Sequence, residues 1–132
     1  MDKDRMYQLA EHVLETWNTQ DVGQVVSCYT SNLVYVDPNT RGEVKGSTAF
    51  WRYLEKMFNE WEMKWYLKEA FLFDHGVGCA VMWHATIKRM EGSELVEFEG
   101  MDLVLVDNDL IARNEVYFDR AVLLPLFKAG VK

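Results

Sequence analysis

The chain has 132 residues, room for one domain around one core, and its 49% hydrophobic and 14% aromatic content excludes a disordered segment. A formal net charge of −7 excludes the basic face that nucleic acid needs and argues against anionic membranes. No apolar run is long enough to span a bilayer, and the charged start Met1-Asp2-Lys3-Asp4-Arg5 lacks a signal-peptide core, so a cytoplasmic location is expected.

Met6, Leu9, Ala10, Val13, Leu14 and Trp17 recur at helical spacing and predict a first helix over about 4–19. Asn18-Thr19-Gln20-Asp21 ends it, and Asp21 is placed to cap a short second helix over about 22–29. Leu33-Val34-Tyr35-Val36 reads as a strand stopped by Asp37-Pro38-Asn39. After a loop from Gly42 to Gly46, Ser47 or Thr48 caps a third helix reaching Asn59. Residues 62–73, 77–89, 95–106 and 110–118 then read as four strands separated by short turns, an antiparallel meander. Ala121 to Phe127 forms a last short helix that Asp119 caps. No linker or repeat interrupts the chain, so residues 1–132 are expected to form a single α+β domain. Three N-terminal helices would cover one strongly curved antiparallel sheet that closes a cone.

Strand parity locates the polar groups. In 77–87 one face carries Val77, Cys79, Val81, Trp83, Ala85 and Ile87, the other Gly78, Ala80, Met82, His84 and Thr86, and neither looks solvated. Such a strand needs two covers, the helices on one side and a second copy on the other, which predicts a homodimer through the outer sheet face. If Met82 and His84 point inward with Phe98, Asp102 and Val104 of the next strand and Asn114, Val116 and Phe118 of the last, the interior is an apolar cup. Its polar groups would be His84, Asp102, Asn114 and Asp37, the usual anatomy of a site for a small apolar molecule. Two aspartates in apolar strand settings must be paired, hydrogen-bonded or used. Cys28 and Cys79 give no disulfide framework, and His12, His75 and His84 lack metal-ligand spacing, so no metal and no cofactor are expected.

The order of elements, Asn18-Thr19-Gln20-Asp21 leading into the second helix, Val36-Asp37-Pro38 before a Gly46-led helix, and the terminal Ile111 to Tyr117-Phe118-Asp119 strand resemble the nuclear transport factor 2-like superfamily. The resemblance spans nearly the whole chain and implies the cone-shaped, cystatin-like fold. It also implies kinship with SnoaL-like polyketide cyclases and ketosteroid isomerases. From the isomerases it places a general base at Asp37 and an oxyanion-binding acid at Asp102. The isomerases' helix tyrosine corresponds here to Val13, with Trp17 a turn later, so one donor is missing and His84 is a candidate replacement. Val116 and Asn114 stand where the related epoxide hydrolases carry an aspartate and a tryptophan, which sets that chemistry apart. Scytalone dehydratases use a histidine pair, of which only His84 is in evidence.

The resulting expectation is a cofactor-independent isomerase or cyclase acting through an enolate on a small apolar carbonyl compound. Asp37, Asp102 and His84 would be catalytic. Val13, Trp17, Tyr35, Tyr53, Met82, Asn114, Val116 and Phe118 would contact ligand. The bland readings stand beside it: Asp37 as a turn former, Asp102 as half of a structural pair, His84 as a core histidine, and the domain as a non-catalytic binding or dimerisation module or an accessory subunit of an oxidative enzyme.

Overall fold

The computed structural model describes residues 2–75 and 77–130. Helix α1 (Lys3–Thr19) starts at Asp2, whose carboxylate accepts from the Arg5 amide at 2.8 Å, and buries Met6, Ala10, Val13, Leu14 and Trp17 along one face. It ends at Gln20 in the left-handed conformation, φ 51°. Asp21 caps α2 (Val22–Val26), which is shorter than expected because the chain is already in strand β1 (Tyr29–Val36) three residues later. A two-residue strand β2 (Val44–Lys45), read from the sequence as loop, pairs antiparallel with β1. Helix α3 (Ser47–Glu60) is preceded by Gly46 at φ 84° with no side-chain cap, so neither Ser47 nor Thr48 plays that part. Strands β3 (Trp61–Leu72), β4 (Gly78–Arg89), β5 (Val96–Asp107) and β6 (Leu110–Tyr117) form the meander. A 3-10 turn (Arg120–Leu123) capped by Asp119 and α4 (Leu124–Gly130) follow.

The six strands lie in the order β2-β1-β6-β5-β4-β3. Two expectations need correction. The sheet is not wholly antiparallel, since β1 runs parallel to β6, with Tyr35 opposite Asn114. Nor does it close, because β2 and β3 remain its two edges. Register shifts at Leu67/Glu69 and Leu105/Val106 are bulges of the kind that bend a strand, and they curve the sheet around α1. The exposed edge of β3 is blunted by the end of α1. Asn18 exchanges hydrogen bonds with the Trp65 backbone at 2.9 and 2.7 Å, and Gln20 bonds the Trp61 carbonyl and Met63 amide at 2.9 and 2.7 Å. Two side-chain amides thus stand in for a neighbouring strand.

The concave face of β4 is Cys79, Val81, Trp83, Ala85 and Ile87, all buried. The pairing of Val81 with Asp102, Trp83 with Gly100 and Ala85 with Phe98 puts that row on the same face as Asp102. Met82 and His84 therefore point to the outer face, opposite to the expectation. There they join Tyr66, Met101 and Tyr117, the His84 ring lying 5.6 Å from that of Tyr66. Arg113 and Glu115, 2.5 Å apart, pair on this outer face as their parity opposite Asn114 predicts.

Candidate active site

Asp102 sits midway along β5 on the concave face. Its Oδ1 accepts from Trp83 Nε1 at 2.8 Å and its Oδ2 from Asn114 Nδ2 at 3.0 Å. Trp83 can reach it because its cross-strand partner is Gly100: a β-carbon there would lie 2.6 Å from the indole ring. Behind Asp102 the network continues into the core. Asn114 Oδ1 accepts from the Tyr29 hydroxyl at 2.7 Å, and the Tyr29 oxygen accepts from Trp17 Nε1 at 3.2 Å. An indole nitrogen only donates, so Trp17 fixes Tyr29 as donor to Asn114, and that in turn fixes the Asn114 amide as donor to Asp102. Burial pushes the Asp102 carboxyl up to about 6, against the opposing hydrogen bonds from Asn114 and Trp83 and with a small further rise from the charge of Asp37. Burial, with a smaller effect of Asp102, also pushes the neighbouring Cys79 thiol up to about 12, which keeps it protonated.

Asp37, only 6% exposed, is differently supplied. Its Oδ1 accepts from the backbone amides of Asn39 and Thr40 at 2.7 and 3.0 Å, the turn-forming pattern expected of an Asp-Pro step. Its Oδ2 accepts from the hydroxyls of Tyr35 and Tyr53 at 2.8 and 2.5 Å. Four donors fill the acceptor sites of one carboxylate, whereas Asp102 receives only two. Burial and the facing Asp37 charge hold both tyrosines well above their ordinary range, so they are neutral donors.

The two carboxylates line one cavity of about 290 Å³. Its wall is aromatic: Trp17, Tyr35, Tyr53, Trp61, Trp65, Trp83, Phe98, Phe118 and Phe127. Trp83 stands edge-on to Trp65 at 4.6 Å and to Phe98 at 5.4 Å, which locks the ring that holds Asp102. Trp65 Nε1 is a buried donor with no partner among the described residues. Asn39, Lys56, Glu60, Arg89 and Arg120 make the polar part of the lining.

Of the residues picked from the sequence, the cavity brings together Asp37, Asp102, Trp17, Tyr35, Tyr53, Val116 and Phe118. Asn114 and Val13 lie behind it, lining a void of about 10 Å³ beneath α1. Asn114 acts on the cavity only through Asp102. His84 and Met82 lie outside it, because the β4–β5 register turns them to the other face. Trp83 and Tyr29 were not picked. Trp83 had a signal in the row Cys79, Val81, Trp83, Ala85, Ile87, the more apolar of the two β4 faces. Tyr29 had none, being placed in a helix by the local pattern. Among the described residues no cluster of His, Cys, Asp and Glu could hold a metal ion, and no helix is long and apolar enough to cross a membrane.

This architecture has many solved counterparts. An NTF2-like protein from Burkholderia pseudomallei superposes with a TM-score of 0.80 at 15% identity, covering 96% of this chain and 98% of that one. The epoxide hydrolase/cyclase-like enzyme SalBIII, of pyran ring formation in the polyether salinomycin, does so at 0.80 and 17%, covering 91% and 95%. A Mycobacterium tuberculosis protein in complex with estradiol-17beta-hemisuccinate does so at 0.76 and 12%, covering 89% and 96%. At such identities these likenesses speak for the fold alone, and no curated protein matches the sequence. The family model described as the SnoaL-like domain matches residues 10–114, most of the described chain, and the protein belongs to that family within the NTF2-like superfamily.

Proposed function

We propose that this protein is a cofactor-independent enzyme that moves a proton on a small apolar carbonyl compound held in the aromatic cavity, with Asp102 as the base. The observation that carries this is the unequal supply of donors to the two carboxylates. Asp37 has four donors and cannot take a proton without giving one up. Asp102 has two, leaving acceptor positions unspent, and its carboxyl near 6 suits a base working close to neutrality. The roles are thus the reverse of those the isomerase resemblance implies.

Asp102 takes a proton from the carbon beside the carbonyl. The substrate oxygen, where charge develops, accepts a hydrogen bond from Tyr53, which turns from Asp37 while Tyr35 and two amides continue to hold that carboxylate. An enolate forming beside Asp37 is disfavoured, so the site suits a C–H already acidified by two flanking groups, as in 1,3-dicarbonyl and aryl-activated ketones. Return of the proton to another atom gives isomerisation; attack by the enolate carbon within the same molecule gives a ring. Solved neighbours of this fold include the cyclase-like SalBIII and a protein in complex with a steroid conjugate, which supports a small-molecule ligand here. The proposal includes a homodimer through the outer sheet face, where Tyr66, Phe71 and Tyr117 are 44%, 56% and 53% exposed. A light-scattering mass of 15.5 kDa instead of twice that rejects the dimer.

The chemistry is tested by deuterium incorporation into 2-tetralone, whose benzylic C–H is acidified by ring and carbonyl, followed by NMR. Wild type is expected to accelerate exchange, with a rate that rises with pH to a plateau above about 6, because the base must be ionised. Asp102→Asn is expected to lose about 10²-fold or more. Wild-type exchange no faster than buffer, or full activity in Asp102→Asn, removes the proposal and leaves a ligand-binding module.

A further inference from the structure

The mouth of the cavity carries a charge pattern that the proposed proton transfer does not use. Lys56 on α3, Arg89 at the end of β4 and Arg120 after β6 all line it, with Glu60 the single carboxylate among them. Among the described residues Lys56, Arg89 and Arg120 form no ion pair, as is also true of Lys3, Arg41, Arg52 and Lys64; what sets the two arginines apart is how they are held.

The two arginines are nevertheless held in place. Arg89 donates from Nε to the Leu126 carbonyl at 3.2 Å and lies 4.5 Å from the Trp61 ring centre. Arg120 donates from Nε to Asn39 Oδ1 at 2.7 Å and lies 5.1 Å from the Phe127 ring centre. In each case the stem is fixed by stacking and by one hydrogen bond from Nε, while the terminal nitrogens make no hydrogen bond among the described residues. Trp61 and Phe127 themselves line the cavity. A planar fork with free ends, pre-set on an aromatic wall, suits a carboxylate. Lys56, Arg89 and Arg120 against Glu60 give this part of the lining a net charge of plus two in a protein whose total is −7, which draws an anion to it.

Building on the reading of the cavity as a substrate pocket, we infer that its ligand has an apolar body and a terminal carboxylate. The body fills the aromatic interior. The carboxylate stays at the mouth, between Arg89, Arg120 and Lys56. The substrate class is therefore a carboxylic acid with an activated ketone in its apolar part, bound in one orientation because only one end of the cavity is cationic.

The test is calorimetric titration of 4-(2-naphthyl)butanoate and of its methyl ester, an apolar body with and without the charge. The acid is expected to bind about tenfold or more tightly than the ester. That preference is expected to shrink in Arg89→Gln, Arg120→Gln and Lys56→Gln and at high salt, and to shrink less in Arg120→Lys, which keeps the charge and loses the fork. Ester affinity, unchanged across the variants, verifies that the cavity is intact. Equal binding of acid and ester, or a preference indifferent to these substitutions, overturns the inference and leaves the pocket standing. Binding of neither overturns the inference and the pocket reading together.

Discussion

Trp17 and Trp83 approach Asp102 from opposite ends of one hydrogen-bond chain, and both are donors only. Trp83 acts directly; Trp17 acts through Tyr29 and Asn114. The Tyr29 hydroxyl is the link that can be cut with least change of volume. In Tyr29→Phe the Asn114 amide is free to turn its oxygen toward Asp102, an arrangement that favours the protonated acid. The midpoint of the pH–rate profile for deuterium exchange is then expected to rise by roughly one unit. The buried Trp17 N–H loses its acceptor, which costs about 1–3 kcal/mol in denaturant unfolding. A profile that does not move, with the stability loss present, would show Tyr29 to be structural only. Asp102 could be singled out from the sequence as a carboxylate in an apolar strand. Asn114 was legible with it from the parity of the last strand; Tyr29 was not, because it acts on Asp102 only through Asn114 and lies 73 residues away in the chain, a link that no local pattern encodes.

At the scale of elements, the β4–β5 hairpin decides which residues meet substrate. Both faces of β4 are apolar, so alternation alone left its parity undetermined, and Met82 and His84 were placed inward. The inward row of β5 (Phe98, Gly100, Asp102, Val104) was identified correctly, since a carboxylate and a glycine mark it. What settles β4 is the register, Trp83 opposite Gly100, and register depends on the turn between Arg89 and Val96, which the sequence does not fix to the residue. Gly100 is the pivot. A β-carbon there would lie 2.6 Å from two Trp83 ring atoms and 2.6 Å from the Tyr117 carbonyl, and the backbone oxygen cannot move aside as a flexible side chain would. Gly100→Ala is expected to cost about 1–3 kcal/mol by overpacking. It should also change the near-UV circular dichroism of the tryptophan cluster and slow exchange by displacing the Trp83 N–H from Asp102. His84→Ala, on the other face, should leave the exchange rate unchanged. Gly100→Ala with a wild-type tryptophan signature and rate would mean that Trp83 does not position Asp102.

For the molecule as a whole, the helices, the four long strands and their order were legible because their periodicities are long and strong. The parallel β1–β6 pairing was not, being a contact between chain ends, and neither was the two-residue β2. The same long-range assembly gives the protein two opposed pH dependences. At the surface, hydrogen bonds from Arg113 hold Glu43 and Glu115 below the usual carboxylate range and Lys68 does the same for Glu99. Their stabilisation is present above the unfolded value of 4.5 and is lost as pH falls. Asp102 works the other way. Its carboxyl is raised from 3.8 to about 6, so the folded state holds its proton more tightly than the unfolded chain does. Its contribution is fully present below 3.8 and declines as pH rises through about 6. Over that window the burial of the charge costs on the order of 3 kcal/mol. Asp102→Val isolates this effect, because the Trp83 and Asn114 donors it leaves unpaired carry a penalty that does not vary with pH, while the exposed acids titrate alike in both proteins. Urea unfolding at intervals from pH 4 to pH 7 is expected to show wild type losing up to about 3 kcal/mol relative to Asp102→Val, with most of the change between pH 4 and 6. A constant difference across that range would mean that Asp102 is ordinarily acidic in the folded protein, and would deprive the proposed base of its poise near neutrality.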